Sequence, residues 1–236
     1  MTRLIFTSIL LLCLLPQVAN AELKTYTAKF NLFQDGDRVG RSTKELTLVS
    51  DNTYRLKTSS NAKIFFVKLR YKEDAIFTWE NNKAKPQSYL QTSDTSFSSE
   101  RKTVQTFNWP TMTETGTYKD SSWDIELTED SHSRLTDIVQ FQDMLSKSET
   151  PIQSMAFLVH DRGRSKNESF QFEAEETIKT PAGEYKTWRY RKTHNNPKRQ
   201  SLYWFATELD FFPVRVQQFK DGEEQANMML SEIEFD

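Results

Sequence analysis

The sequence predicts a mainly β fold: a single antiparallel barrel, or a strongly curved half-barrel, of about a dozen strands with one covering helix. Three observations predict it. Short runs alternate apolar and polar residues with period two along most of the chain. Polar and turn residues separate the runs at close intervals. One stretch, 131–147, changes to helical spacing. The chain is only 36% hydrophobic, but 17 Phe, 8 Tyr and 5 Trp supply large buried area per residue, so one sizeable core is within reach. A mean hydropathy of -0.70 argues against a helical membrane protein.

Ahead of the first strand, Arg3 precedes the apolar run from Leu4 to Leu15. Pro16 and then Ala19-Asn20-Ala21 follow, in the small-x-small spacing that signal peptidase reads. The run is well short of the roughly 20 residues that span a bilayer. The expected division is therefore a cleaved signal peptide, 1–21, and one β-rich domain, 22–236. The single cysteine, Cys13, lies inside the run behind Leu11-Leu12, where a lipid-acceptor cysteine needs a small residue. Cleavage leaves no thiol, which excludes disulfides, thiolate metal sites and cysteine nucleophiles. It also removes Arg3, the one charged residue before Glu22, so the formal charge goes from -2 to -3. That balance gives no reason to expect nucleic acid.

Tyr26, Ala28, Phe30 and Leu32 face one way, and Thr25, Thr27, Lys29 and Asn31 the other. Gln34-Asp35-Gly36-Asp37 supplies turn chemistry, and 38–49 reads as the returning strand. Strands follow at 54–58, 75–79, 87–92, 102–109, 113–118 and 123–127. Within 131–147, Leu135, Ile138, Val139, Phe141 and Leu145 share one helical face, with Ser131 or Ser133 as N-cap. Strands resume at 155–159, 169–177, 185–193, 202–206, 214–219 and 227–235. The apolar stretch 64–69, followed by Tyr71, reads either as a flap over a cavity mouth or as a buried strand. So many sequential hairpins must close or curl to cover their apolar face and edges. An outer-membrane barrel is disfavoured, because the apolar faces are a few residues tall and spanning strands need about 9–11.

Four stretches carry a family resemblance. They are Arg38-Val39-Gly40 on the first hairpin, Asp161-Arg162-Gly163-Arg164, the run from Glu176 through Thr180-Pro181-Ala182-Gly183 to Tyr185, and the run from Leu202 through Phe211-Phe212-Pro213 to Arg215. In this order they resemble the exported bacterial family catalogued as domain of unknown function 3108, over essentially all of 22–236. The resemblance implies a β-rich fold and a periplasmic or envelope location, and it implies no activity. Each stretch also has a structural reading. Thr180 to Gly183 makes a turn in which Pro fixes φ and Gly accepts a positive one. Asp161 to Arg164 is a hairpin turn whose arginines meet carboxylates, and Pro213 sits at a strand entry.

Catalytic signals are sparse. The sequence has no nucleophile elbow, phosphate loop or dinucleotide fingerprint, and His132, His160 and His194 lack the i, i+4 partner of a helical metal site. No metal, cofactor or catalytic residue is assigned. Glu173 and Glu175 share a strand face, with Glu176 opposite, and face a basic stretch of Lys186, Arg189, Arg191, Lys192, Lys198 and Arg199. Adjacent strands of opposite charge read more simply as a salt-bridge ladder than as paired catalytic carboxylates. Phe65, Phe66, Trp188 and Tyr190 are the expected ligand contacts. Arg189, Arg191, Lys198 and Arg199 are the expected anion or partner contacts. The function expected is a non-catalytic periplasmic or envelope protein that binds an apolar or amphipathic ligand or a partner protein. The alternative is a carboxylate-dependent hydrolase of an envelope glycan or lipid, using Glu173 and Glu175 or Asp161 and His160. Whether the β interior is hollow or filled stays open at this level.

Overall fold

Alternation beginning at Tyr26 builds β1 (Tyr26–Gln34), whose Tyr26, Ala28 and Phe30 are buried while Lys29 is exposed. A computed structural model describes residues 22–236 except 195 and 197, so the expected signal peptide, 1–21, lies outside the described residues. Seven strands continue as antiparallel hairpins: β2 (Asp37–Ser50), β3 (Thr53–Ile64), β4 (Val67–Glu80), β5 (Lys83–Thr95), β6 (Ser98–Asn108), β7 (Thr113–Tyr118) and β8 (Ser121–Glu126). The two-residue β9 (Ser131–His132) and the helix α1 (Thr136–Ser146) come next. The second run is β10 (Ser154–His160), β11 (Ser165–Thr180), β12 (Gly183–Thr193), β13 (Arg199–Ala206), β14 (Phe212–Lys220) and β15 (Glu223–Phe235).

The fold class is as predicted, with fifteen strands where about a dozen were read. Many run longer than their apolar cores, because polar residues continue the ladder toward one end. In β3, for example, Tyr54, Leu56 and Thr58 are buried, and the strand then continues through Ser59 to Ile64 with half-buried or exposed residues. Outward positions carry Arg55, Lys57, Lys72 and Asp74, so the apolar face of this part of the sheet is the inner one. The stretch 64–69 is neither flap nor buried strand: Ile64 pairs with Val67 and the chain turns at Phe65-Phe66. The helix begins later than its sequence pattern. Its N-cap is Leu135, without a side-chain capping bond. Ser131 belongs to β9, and the Ser133 N–H donates to Thr136 Oγ1 at 2.8 Å.

All fifteen strands form one sheet in the order β8-β7-β6-β5-β4-β3-β2-β1-β15-β14-β13-β12-β11-β10-β9. Every neighbouring pair is antiparallel except β9 and β10. Pairing of β1 with β15 brings the ends of the described chain together, Tyr26 opposite Phe235. The sheet does not close by backbone bonds. Side chains tie its two margins instead: Gln105 on β6 donates to the His160 carbonyl of β10 at 3.3 Å, and His160 Nδ1 lies 2.9 Å from Glu114 Oε2 of β7.

Hairpin turns gather at two ends. The loops 81–82 and 207–211 lie at one end, and α1 ties itself to both: Gln140 Nε2 donates to the Asn82 carbonyl at 2.9 Å, and Gln142 Nε2 to that of Asp210 at 3.1 Å. The aromatic cluster around Phe141, Phe157, Phe170, Tyr190, Tyr203 and Phe205 packs on the helix, with Phe141 stacked on Phe170 at 4.2 Å. A second cluster, including Phe30, Tyr54, Phe77, Trp79 and Phe212, fills the region between β1 and β5. The turns β1–β2, β3–β4, β5–β6 and β12–β13 lie at the opposite end, away from the helix contacts.

Candidate functional site: a charged mouth on the inner face

Register places inward residues in rungs across β2 to β6. The rung Leu46, Leu56, Ala75, Tyr89 is apolar. One step toward the end that carries the β3–β4 and β5–β6 turns, the rung becomes Lys44, Thr58, Glu73, Gln91, Thr103. The next is Ser42, Ser60, Tyr71, Ser93. In these rungs Lys44, Ser60, Tyr71 and Ser93 are half-buried, while Ser42 and Thr103 stay buried. The apolar interior thus gives way to a polar mouth facing away from the helix.

Arg134 and Asp137, just before and just inside the N-terminus of α1, bring further charge to this layer, and Lys192 brings it from β12. Desolvation lowers the Lys44 amine, against the opposing fields of Glu73 and Asp137, while Lys192 lowers it further. Among the described residues, Lys44 forms no ion pair. Glu73 accepts from the Tyr89 hydroxyl at 2.6 Å. Burial alone would lower the Arg134 guanidinium, but the fields of Tyr89, Tyr71, Glu73 and Asp161 outweigh it and hold it further up. Arg134 lies 3.9 Å from Asp161, whose other oxygen pairs with Lys166 at 2.6 Å.

Deeper, one lysine serves two carboxylates. Lys192 contacts Asp137 and lies 2.9 Å from Glu168, which is also 3.0 Å from His194 Nδ1. Burial pushes the Glu168 carboxyl up, but the His194 hydrogen bond and the Lys192 charge win and hold it at about 2. Asp137 goes the other way: burial raises it, and the nearby Glu168 charge adds to that rise against Lys192. Two carboxylates sharing one cation separate in this manner, one ionised and one protonated more readily.

A second constellation has the order of a hydrolytic triad. Ser131 Oγ lies 3.0 Å from His160 Nε2, and His160 Nδ1 lies 2.9 Å from Glu114 Oε2. A nucleophile must meet substrate, and this one does not: Ser131 is 2% exposed, His160 and Glu114 are fully buried, and Ser131 Oγ accepts the Thr128 N–H at 2.9 Å. Glu114 Oε1 also accepts from Gln105 at 2.8 Å and from Trp123 Nε1 at 2.7 Å. The arrangement joins β6, β7 and β8 to β9 and β10 and fits a structural role.

The residues singled out from sequence separate. Phe65 and Phe66 form the exposed β3–β4 tip. Trp188 and Tyr190 are buried, Trp188 against Phe211 at 4.7 Å and Tyr190 against Phe141 at 4.9 Å. Arg189 pairs with Glu173 at 3.1 Å and Glu176 at 2.8 Å, and Arg191 pairs with Glu173, which is the ladder expected between β11 and β12. A bulge between Phe172 and Ala174 alters the alternation, so Glu173 and Glu176 meet Arg189 and the exposed Glu175 does not join them. Lys198 lies 3.4 Å from Asp221, and Arg199 is exposed at the start of β13. Asn195 and Pro197 of that turn lie outside the described residues. Lys44, Glu73, Arg134, Glu114 and Glu168 escaped the sequence reading. For the four strand residues the signal was a charge at an inward position of an alternating strand, as Lys44 between Ser42 and Leu46; Arg134, in the turn before α1, had none.

A family model for proteins of unknown function matches residues 25–231, almost all of the described chain. The chain belongs to the DUF3108 family. Membership of DUF3108, a family of unknown function, brings no activity with it. The fold has a solved counterpart: the crystal structure of a β-barrel-like protein of the DUF1849 family from Brucella abortus aligns with a TM-score of 0.61 at 8% identity, covering 92% of this chain and 99% of that one. A structure with a YmcC-like fold from Bacteroides fragilis aligns over 90% of this chain and 97% of its own at 10% identity, with a TM-score of 0.35. No curated protein sequence matches this DUF3108 chain. Among its described residues, no helix is long and apolar enough to cross a membrane.

Proposed function

We propose that this protein is a non-catalytic binding module of the cell envelope, exported to the periplasm as one domain from residue 22. It receives an amphipathic ligand at the mouth of its curved sheet. The observation that carries the reading is Lys44: an inward lysine, lowered by desolvation, half-accessible and without an ion-pair partner among the described residues. A half-buried cation without an ion-pair partner has lost part of its hydration, and an anion placed beside it restores that loss. An anionic or strongly polar head group placed between Lys44 and Arg134 supplies that charge, above the buried apolar rung of Leu46 and Leu56. This chemistry favours an amphipathic ligand over a purely apolar one. Trp188 and Tyr190 would back the site within the aromatic cluster, and Arg199, exposed at the start of β13, would meet a partner.

Binding is preferred to hydrolysis because Glu173 is held by two arginines and Asp161 by Lys166, while the exposed Glu175 stands apart from both and so forms no acid–base pair with Glu173. An open groove of about 430 Å³ lies elsewhere, lined by Thr78, Lys85, Trp109 and neighbours, and it contains none of the mouth charges. Native mass spectrometry of the protein purified from its own periplasm, followed by extraction, tests the proposal. A reproducible amphiphile adduct that is lost in Lys44→Met is expected. A clean apo mass, or an adduct indifferent to that substitution, sinks it.

A further inference from the structure

The end opposite α1 carries a feature that the mouth does not use. Phe65 is 88% exposed, Phe66 76% and Phe97 74%, and all three sit on the adjacent β3–β4 and β5–β6 tips. The tips act as one unit. The Lys68 N–H donates to Ser96 Oγ at 2.9 Å, the Ser96 N–H returns a bond to the Lys68 carbonyl at 3.0 Å, and Phe66 meets Phe97 edge-on at 6.4 Å.

Nothing inside the fold rewards these residues. Phe65 adopts φ +54 in a two-residue hairpin turn, where Asn or Gly is the low-strain choice, and its ring packs on no core. Lys63 and Lys68 are direct cross-strand partners, a like-charge pairing that weakens a hairpin. Residues 61–72 contain Lys63, Lys68, Arg70 and Lys72 and no acid, in a chain whose formal charge is -2. Lys63, Lys68, Arg70 and Lys72 all project outward. Arg70 is paired with Asp94, whereas Lys63 and Lys68 form no ion pair among the described residues.

Protruding aromatic rings collared by outward cations fit an apolar phase with an anionic surface. We propose that the two tips dock the protein on an anionic phospholipid bilayer, with Phe65, Phe66 and Phe97 entering the interfacial region and Lys63 and Lys68 contacting head-group phosphates. A second copy is a poorer occupant, since a symmetric contact through these tips sets each cationic collar against its twin. This docking does not depend on the mouth holding a ligand.

Vesicle flotation tests it, comparing phosphatidylcholine vesicles with and without phosphatidylglycerol. The purified protein should float with the mixed vesicles at low salt and stay behind with phosphatidylcholine alone or at high salt. The combined Phe65→Asn, Phe66→Ser and Phe97→Ser variant, and separately Lys63→Glu with Lys68→Glu, should each lower the bound fraction by at least about tenfold. Their melting curves should match the parent, because the replaced groups are exposed. Failure of the parent to float, or undiminished flotation of both variants, overturns the proposal. So does a concentration-dependent dimer that the Phe variant abolishes without any effect on vesicles.

Discussion

At the scale of single residues, the inner face holds groups whose protonation is tied to folding. His132 is buried against Phe157 at 5.2 Å, and its burial lowers the imidazole from 6.5 to about 4. The unfolded chain therefore takes up a proton at a pH where the folded chain does not. The stability contributed by neutral His132 is complete above about pH 6.5 and is lost as the pH falls toward 4. Urea titrations across that window should show a flatter pH dependence for His132→Phe than for the parent. Glu168 acts at lower pH: held at about 2 against an ordinary 4.5, it stabilises fully above about pH 4.5 and loses that effect as the pH drops toward 2. Glu168→Gln should remove that part of the acid dependence. Lys192→Met leaves Asp137 and Glu168 facing each other in the core, and should cost about 3–5 kcal/mol in urea unfolding at neutral pH. Sequence showed Lys192 only as one of a basic run. Its neighbours Arg191 and Arg189 do form the expected surface ladder, and alternation alone turned Lys192 inward toward a helix far along the chain.

At the scale of elements, the margin between β6–β8 and β9–β10 is held by side chains where a barrel would use backbone bonds. Glu114 accepts from Gln105 and Trp123 and contacts His160, so Glu114→Ala strands several buried polar groups and should destabilise by about 3 kcal/mol. Amide exchange should then quicken in β8 and β9 while β2 to β4 stay protected. The β10–β11 turn packs on the same margin. Gly163 has φ +71, and a Cβ there would lie 2.7 Å from Trp123 Cγ, so Gly163→Ala should cost about 1–3 kcal/mol in thermal or urea unfolding. Sequence marked Asp161 to Arg164 correctly as a turn. It did not show that Trp123 would be its floor, because that contact joins elements about forty positions apart.

At the scale of the molecule, strand order is sequential except at one junction. Reading from β9 through β15 to β1 and on to β8 follows the sheet without interruption, so the sheet is open between β8 and β9, which are consecutive in the chain, while the chain's own ends meet inside the sheet at β15 and β1. A circular permutant that begins near Glu129 and joins residue 236 to residue 24 by a short linker would be a nearly uninterrupted meander. The join is short because the Asp236 N–H already donates to the Thr25 carbonyl at 3.2 Å. Its circular dichroism and melting should match the parent, and it should fold faster, since pairing β1 with β15 no longer requires closing the whole chain. Slower folding, or loss of the native spectrum, would argue against the sheet order.

Period-two alternation, turn chemistry and one helical stretch determined the curved antiparallel sheet, because these signals depend on residues within a few positions of each other. The ladder of Arg189 and Arg191 with the β11 glutamates was legible for the same reason: one hairpin brings both sides together. Register across five strands was not. It aligned Lys44, Thr58, Glu73, Gln91 and Thr103 into a polar rung, and it brought Lys192 of β12 and Arg134 beside α1 toward the same interior. Only the tertiary structure decided that Phe65 and Phe66 would stand at an exposed tip beside Phe97. An apolar run is compatible with burial or exposure until the turn between its strands fixes which residues leave the sheet.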